Sequence, residues 1–253
     1  MAFAALTLLA ISLATAAPPA SPDTLRVLLV VDDSAARRAA VEGARLGAEE
    51  AAHTGALFGT AVVLRVREAR DSGQVAGVLA GFTAADAPSI IVVAADSTAC
   101  APLARLAARR EVALLDVGCP ASGASAGAGA YALTAFSPAD ASDSTRLELW
   151  HWSLDRFGGE QLNQRFERRF GTRMTSASWA GWFAMKVSLD LALRTHATSA
   201  RSLLARLRDP ATQFDGQKGR PLRFAPATRR LVQPLYRVAG AGDAEHVVAE
   251  VAP

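Results

Sequence analysis

Short apolar runs alternate with amphipathic segments along the first half of the chain. Runs rich in β-branched residues, without polar alternation, are typical of strands buried on both faces. The predicted strands are Leu25–Asp32, Thr60–Arg67, Ser89–Ala95 and Val112–Val117. Apolar residues at helical spacing between them predict helices after Ser34, a plausible N-cap, at Ser72–Phe82 and at Ala101–Arg110. This alternation predicts an α/β fold with a Rossmann-like parallel sheet and helices on both faces.

The second half of the chain has more helical periodicity. After a Gly/Ser/Ala-rich tract at 121–130, predicted to be a loop, Tyr131–Phe136 is a candidate fifth strand. Ser144–Gly171 predicts two helices that are broken at Gly158-Gly159. Ser176 is expected to cap the next helix, whose stripe of Trp179, Phe183, Val187 and Leu191 is expected to be core. The remaining predicted elements are a helix at Ala200–Arg208 and strands at Leu222–Phe224, Val232–Val238 and Val247–Val251.

The first residues of the chain predict export. MAFAALTLLAISLATAA is an apolar run that ends in the small residues Ala14-Thr15-Ala16, which is typical of a signal peptide at 1–16 and of a periplasmic protein. The run meets Pro18-Pro19 before it is long enough to span a membrane, so no membrane span is expected in the mature form. We expect a linker at 17–24, a single αβ lobe at 25–208 and a C-terminal β-hairpin segment at 209–253.

Charge and cysteine content narrow the function classes. The net charge is +3 and the arginines are scattered among acidic residues, so no nucleic-acid partner is expected. The two cysteines, Cys100 and Cys119, lie at the ends of successive predicted strands. In an oxidising compartment they could pair, and the alternative is two buried free thiols.

Three stretches of the chain have the order of elements of a known family: Ala40–Gly59, Ser89–Ser122 and the run from FERRFGTRM through WAGWFAMKVSLDLAL and FDGQKGRPLRF to VQPLYRV. Together they resemble the type I periplasmic binding proteins, specifically the leucine/isoleucine/valine-binding-like proteins of ABC transporters. GGEQLNQRF, with WAGWFAMK and DGQKGRPLRF, most resembles the subgroup associated with PQQ-dependent alcohol oxidation. The resemblance implies a solute-binding component of an ABC-type uptake system, with a small-molecule solute and an ABC permease as partners.

The chain departs from this family after Phe136. The family continues into a second αβ lobe, whereas here few residues precede the returning helices. We therefore expect the second lobe to be almost wholly absent. Type I binding proteins close two lobes over a solute, so a single lobe implies half a site.

The resemblance also implies where the solute is held. The loops after the third and fourth strands supply the candidate ligand-binding residues Asp96, Ser97, Thr98, Cys119, Ala121 and Ser122. Hydroxyls and backbone amides at strand ends can bind a carboxylate, but Asp96 would repel one and favour an amine, a hydroxyl or a cation. The alternative is that Asp96 or Ser97 only caps the following helix. No metal and no cofactor are expected.

Other function classes fit the sequence less well. LLVVDDS (Leu28–Ser34) imitates the start of a response-regulator receiver, but an exported protein meets no histidine kinase. His53, His151, His196 and His246 are dispersed, and no Gly-x-Ser-x-Gly motif or P-loop occurs, so no enzyme is expected. The alternative function is an accessory protein that docks to a periplasmic PQQ-dependent alcohol dehydrogenase, a permease or a second copy of itself as a homodimer.

Overall fold

The chain alternates strands with helices up to residue 116, and after residue 144 it forms antiparallel strand pairs around a group of helices. The computed structural model describes residues 23–119, 130–134 and 145–252. The elements are β1 (Asp23–Val31), α1 (Ala35–Leu57), β2 (Thr60–Glu68), α2 (Ser72–Ala80), β3 (Ile90–Ala94), α3 (Ser97–Arg109), β4 (Ala113–Asp116), β5 (Tyr131–Ala132), β6 (Thr145–Glu148), α4 (Gly159–Phe170), α5 (Ser176–Thr195), α6 (Ala200–Arg208), β7 (Phe214–Asp215), β8 (Pro221–Phe224), β9 (Leu231–Val232), β10 (Leu235–Ala239), a 3₁₀ turn (Gly242–Ala244) and β11 (His246–Val251).

The first five strands form one parallel sheet in the order β2-β1-β3-β4-β5. Every residue of β3 and β4 is buried, which explains why these strands are continuously apolar. Alternate residues of β1 belong to two different core clusters, one with α1 and α5 and the other with α2 and α3. Helices therefore cover both faces, and the predicted α/β fold is confirmed.

Two small antiparallel sheets follow the parallel one. The predicted C-terminal hairpin is formed by β10 and β11, and β6 pairs with the other edge of β10. The strands β7, β8 and β9 form the second sheet. The predicted strand Val232–Val238 is divided, because the ladder stops at Gln233 and Pro234 and a proline has no N–H to contribute. Because β6 pairs with β10, the segment at 209–253 is joined to residues that precede the helices.

Several boundaries differ from the predicted ones. Strand β1 starts at Asp23, inside the predicted linker, and α3 starts at Ser97 and not at Ala101. The predicted signal peptide, nearly all of the predicted loop at 121–130 and the last residues of Tyr131–Phe136 lie outside the described residues.

The helix predicted for the first part of Ser144–Gly171 is wrong. Thr145–Glu148 is a strand, and turns lead from it to α4. The backbone N–H groups of Leu149 and Trp150 donate to the Ser176 hydroxyl, at 3.1 and 3.2 Å. They therefore take no part in the pairing of β6 with β10, which ends at Glu148. Spacing of the apolar side chains imitated a helix here, but a hydroxyl from a distant segment fixes the backbone.

The predicted N-cap of α5, Ser176, is wrong, because its hydroxyl accepts from the backbone of Leu149 and Trp150. Thr175 is the N-cap, and its hydroxyl accepts from the Ser178 N–H while the Ser178 hydroxyl accepts from the Thr175 N–H. This reciprocal pair is a capping box. The predicted core stripe of α5 is confirmed, since its four members are all fully buried: Trp179, Phe183, Val187 and Leu191.

Helices α1 and α5 approach until their backbones touch. A Cβ atom on Gly43 would overlap the Ser178 carbonyl oxygen, and one on Gly181 would overlap the Ala40 carbonyl oxygen. On Gly47 it would lie 2.8 Å from the Trp182 carbonyl oxygen. Only glycine fits at these positions, so the sequence of both helices sets their separation.

A buried lysine joins the segments that connect the sheets. The Lys218 ammonium donates to the Leu149 carbonyl at 2.6 Å, the Gln233 side-chain oxygen at 2.8 Å and the Pro234 carbonyl at 3.1 Å. The Gln233 amide nitrogen donates in turn to the Leu133 carbonyl at 2.6 Å. We call these two side chains and their three carbonyl partners the Lys218 clasp. It holds together the chain after β5, the chain after β6 and the chain before β10.

Burial lowers the pKa of Lys218 well below its ordinary value, because the charged form loses its hydration. The negative charge of Glu250 acts in the opposite direction, and two features of the surroundings of Lys218 also favour its charged form. The three oxygen acceptors of the clasp match the three donors of an ammonium group. The Lys218 nitrogen also lies 4.1 Å from the centroid of the Trp179 ring, within the range of a cation–π contact.

We expect Gly181→Ala to lower the free energy of unfolding by about 2–3 kcal/mol, because the new methyl group forces α1 and α5 apart. Gly77→Ala is the matched control. Gly77 lies in helix α2 with open space around it, so there alanine should raise stability by about 0.5–1 kcal/mol. Urea unfolding followed by circular dichroism measures both variants. Equal effects of the two substitutions would contradict the contact.

We expect Lys218→Met to lower the free energy of unfolding by about 3–5 kcal/mol, since it leaves buried oxygens without donors. The chain has one other lysine, Lys186, which is half-buried on α5 and serves as the control. Lys186→Met should change stability by about 0.5 kcal/mol or less. A loss of similar size in both variants would show that the clasp contributes little.

Candidate functional site

The parallel sheet has a switch point between β1 and β3. From β1 the chain moves to β2 on one side, and then to β3 on the other side of β1. In open α/β sheets ligands bind outside the carboxyl ends of the strands at such a point. Asp32 and Asp33 follow β1 there, and Asp96 follows β3. The loop predicted from the resemblance therefore lies at the edge where the topology favours a ligand.

Asp96 is the N-cap of α3. Its Oδ1 atom accepts from the Thr98 N–H at 2.9 Å and from the Ala99 N–H at 3.3 Å. The Thr98 hydroxyl lies 2.6 Å from the same oxygen and 2.7 Å from the Arg70 carbonyl. The Thr98 hydroxyl and the two N–H groups lower the pKa of Asp96, so its carboxylate is charged at neutral pH. Asp96 therefore caps α3, and whether it also binds a solute stays a prediction.

The loop after β4 repeats this arrangement with a second carboxylate. Asp116 is buried, and its Oδ1 atom accepts from the Gly118 N–H at 3.1 Å and from the Cys119 N–H at 2.8 Å. Of the predicted site residues, Thr98 and Cys119 thus donate their backbone amides to the protein's own acids, as do the neighbouring residues Ala99 and Gly118. The role of Asp116 is the main feature of the site that the sequence did not reveal.

An arginine that the sequence analysis missed spans the switch point. Arg37, in the first turn of α1, donates from Nη2 to the Ala95 carbonyl at 3.1 Å. Its Nε atom lies 3.6 Å from Asp32 Oδ1. In the loop after β2, Arg70 Nη2 lies 3.4 Å from Asp33 Oδ2. Two arginines therefore neutralise the acidic pair after β1. The sign of this in the sequence is Arg37, which lies about one helical turn after Asp32-Asp33-Ser34.

A cavity of about 290 Å³ lies beside these residues, between the start of α1 and the ends of β1 and β2. Asp32, Asp33 and Arg37 line it, together with Glu68 at the end of β2. Asp96, Thr98 and Cys119 do not line it. The predicted loops and this cavity thus occupy neighbouring parts of the same edge.

A disulfide joins the two predicted loops. Cys100 in α3 and Cys119 after β4 are bonded, with their Cα atoms 6.2 Å apart, which decides the open question of their pairing. The bond brings Asp96 and Thr98 close to the loop after β4. Ser97 is the first residue of α3, and Ala121 and Ser122 lie outside the described residues.

Among residues 23–119, 130–134 and 145–252, no group of three metal-ligand side chains occurs. Within the same residues, no helix combines the length and apolarity that crossing a bilayer requires.

Solved structures of similar fold are solute-binding proteins. A periplasmic binding protein from Burkholderia mallei matches 91% of this chain and 95% of its own, with 10% identity and a TM-score of 0.70. The branched-chain amino acid transporter substrate-binding protein LivJ from Streptococcus pneumoniae, in complex with isoleucine, matches 91% and 100%, with 12% identity and a TM-score of 0.70. A solute-binding protein of an ABC transporter from Rhodopseudomonas palustris, in complex with 3,4-dihydroxybenzoic acid, matches 91% and 97%, with 10% identity and a TM-score of 0.68.

Sequence comparison adds no closer relative. No protein-family model matches the chain, and no curated protein sequence matches it. At 10–12% identity the structural matches establish the fold alone. The chain has the fold of the periplasmic binding proteins, with additional antiparallel strands towards its C-terminus.

Removing the disulfide should destabilise the protein by about 2–4 kcal/mol, because the unfolded chain gains the freedom of the opened loop. The test compares urea unfolding of the wild type and of the Cys100→Ala/Cys119→Ala double variant. Dithiothreitol should lower wild-type stability by a similar amount and leave the double variant unchanged. An oxidised wild type no more stable than the double variant would contradict this expectation.

Proposed function

We propose that the protein is a periplasmic solute-binding protein of an ABC-type uptake system, which binds a small polar organic solute at the carboxyl ends of β1, β3 and β4. One observation carries the proposal. The switch point of the parallel sheet is bordered by the polar loops at Asp96 and Cys119, in a fold that the matched solute-binding proteins share. The binding role of Asp96, Ser97, Thr98, Cys119, Ala121 and Ser122 is part of this proposal.

The electrostatics of the edge favour a solute that donates hydrogen bonds. The matched proteins were solved with isoleucine and 3,4-dihydroxybenzoic acid, which both carry a carboxylate. In this chain the loop amides already donate to Asp96 and Asp116. A solute carboxylate would meet a charged Asp96, and these four amides are not free to bind it. We therefore infer that an amine or hydroxyl group of the solute faces Asp96.

We also propose that the chain retains about one lobe of the family's two. Residues 133–144 alone separate β5 from β6, which is short for an αβ lobe of several strands. One lobe buries less of a small solute than two closed lobes do. Each tenfold loss of affinity corresponds to about 1.4 kcal/mol, so we expect a dissociation constant in the range of about 0.1–1 mM.

The accessory role in a PQQ-dependent alcohol oxidation system has no observation of its own in its favour. The same is true of a dehydrogenase partner or a homodimer. We do not adopt these alternatives, although PQQ belongs in the ligand panel that tests the proposal.

A thermal-shift screen of the mature chain against amino acids, small carboxylates, alcohols, aldehydes and PQQ tests the proposal. We expect an amine or hydroxyl compound to raise the melting temperature at millimolar concentration, by mass action on the native state. Asp96→Ala should abolish the shift. Asp96→Asn keeps a good N-cap and removes the charge, so it should weaken an amine solute strongly and a hydroxyl solute little.

The control for lost capping is Ser199→Ala at the start of α6. Ser199 is exposed and caps its helix through the Ser202 N–H, as Asp96 caps α3. This variant should lose about 1 kcal/mol of stability and keep the ligand-induced shift. The proposal fails if no compound in the panel shifts the melting temperature, or if Asp96→Ala and Ser199→Ala reduce the shift equally.

A further inference from the structure

A larger cavity lies away from the carboxyl ends of the parallel sheet. It has a volume of about 540 Å³ and lies between the loop at 153–157, Gln217 and the hairpin of β10 and β11. This volume is within the range of small-molecule sites. Neither the candidate site residues nor Arg37 line this cavity. It therefore needs an explanation independent of the proposed solute site.

Apolar side chains are exposed at this cavity. Phe157 is 60% exposed and Val248 is 48% exposed, and both line it. The Phe157 ring lies so close to Gly219 that a Cβ atom there would overlap it. An aromatic ring held in place at the mouth of a cavity offers a surface for an apolar ligand body.

The backbone next to the cavity is strained. Phe157 has φ 55° and Gln217 has φ 57°, both in the left-handed region that non-glycine residues avoid. Gly158, between Phe157 and α4, has φ 86° and lies against the Gln217 side-chain amide. Such strain persists only where the surrounding structure imposes it, and it is concentrated at ligand clamps and active sites.

Polar atoms in the cavity wall lack partners. Tyr236 is only 4% exposed, and its hydroxyl forms no hydrogen bond with any residue the structure describes. Burial raises the pKa of this hydroxyl, so it stays neutral. The Gln217 Oε1 atom is buried, and no donor from the described part of the chain reaches it. A buried polar atom normally has a partner, so the Gln217 oxygen is a candidate acceptor for a ligand. The Tyr236 hydroxyl, which keeps some access to solvent, is a second acceptor in the same wall.

The charges at the cavity favour a hydrogen-bond donor. Glu250 and Asp155 both line it. Glu250 pairs with Arg220 at 2.7 Å through one oxygen, while Asp155 has no ion pair with the described residues. Arg156 also lines the cavity, and it is exposed to solvent. The cavity is thus lined by two carboxylates, an amide oxygen and a phenol, together with one guanidinium that is exposed to solvent.

We propose that this cavity is a second binding site, which takes a small primary amine with an apolar or aromatic body. The ammonium group donates to Tyr236, Gln217 and the acids, and the apolar body contacts Phe157 and Val248. The site is separate from the proposed solute site and does not depend on it.

Isothermal titration of the mature chain with benzylamine, benzyl alcohol and benzoate tests the site. We expect benzylamine to bind with a submillimolar dissociation constant, benzyl alcohol about tenfold more weakly, and benzoate not measurably. Tyr236→Phe and Phe157→Ala should each weaken benzylamine binding by about tenfold. Val63→Ala, at another exposed apolar side chain, is the control and should leave it unchanged.

Asp96→Ala separates the two sites, since it should not affect benzylamine bound at the hairpin. Melting curves of each variant establish that it is folded before its affinity is compared. The inference is overturned if benzylamine does not bind, if folded Tyr236→Phe and Phe157→Ala bind it as the wild type does, or if Asp96→Ala alone abolishes binding.

Discussion

The contact between the backbones of α1 and α5 is the constraint on which the rest of the structure depends. Three glycines, Gly43, Gly47 and Gly181, let a helix from the C-terminal half reach the same face of the sheet as the first helix. At this separation the Trp182 indole donates to a Glu50 carboxylate oxygen at 2.8 Å. The same contact fixes α1 over the sheet, and α1 carries the arginine that spans the switch point. The close packing of α1 against α5 therefore determines where the Arg37 guanidinium lies at the candidate site.

Much of the fold was predictable because the parallel sheet leaves a strong signal in the sequence. Strands buried on both faces are continuously apolar, so β1, β2, β3 and β4 were located to within a few residues. The signal failed before α4, where Leu147, Trp150 and Leu154 have helical spacing. There the deciding interaction is the Ser176 hydroxyl, which binds two backbone amides from far along the chain. Local periodicity carries no information about such a partner.

The candidate site was predicted in outline only. Resemblance located the two loops, and the disulfide shows that they are neighbours. The sequence left open whether Asp96 caps α3 or contacts a ligand, because both roles require the same residue types, and it gave no sign of the role of Asp116. The cavity at the hairpin was also missed, since its wall is assembled from three separate segments. Its clearest signals, an unpaired Gln217 oxygen and positive φ angles, exist only in three dimensions.

The Lys218 clasp has a consequence for how this chain tolerates changes in length. It holds the carbonyls of Leu133 and Leu149, the two points between which the chain leaves the parallel sheet and returns to β6 and α4. Because both points are anchored to the same pair of side chains, the distance between them is set by the core and not by the intervening residues. We therefore expect this position to accept segments of different lengths without a change in the parallel sheet.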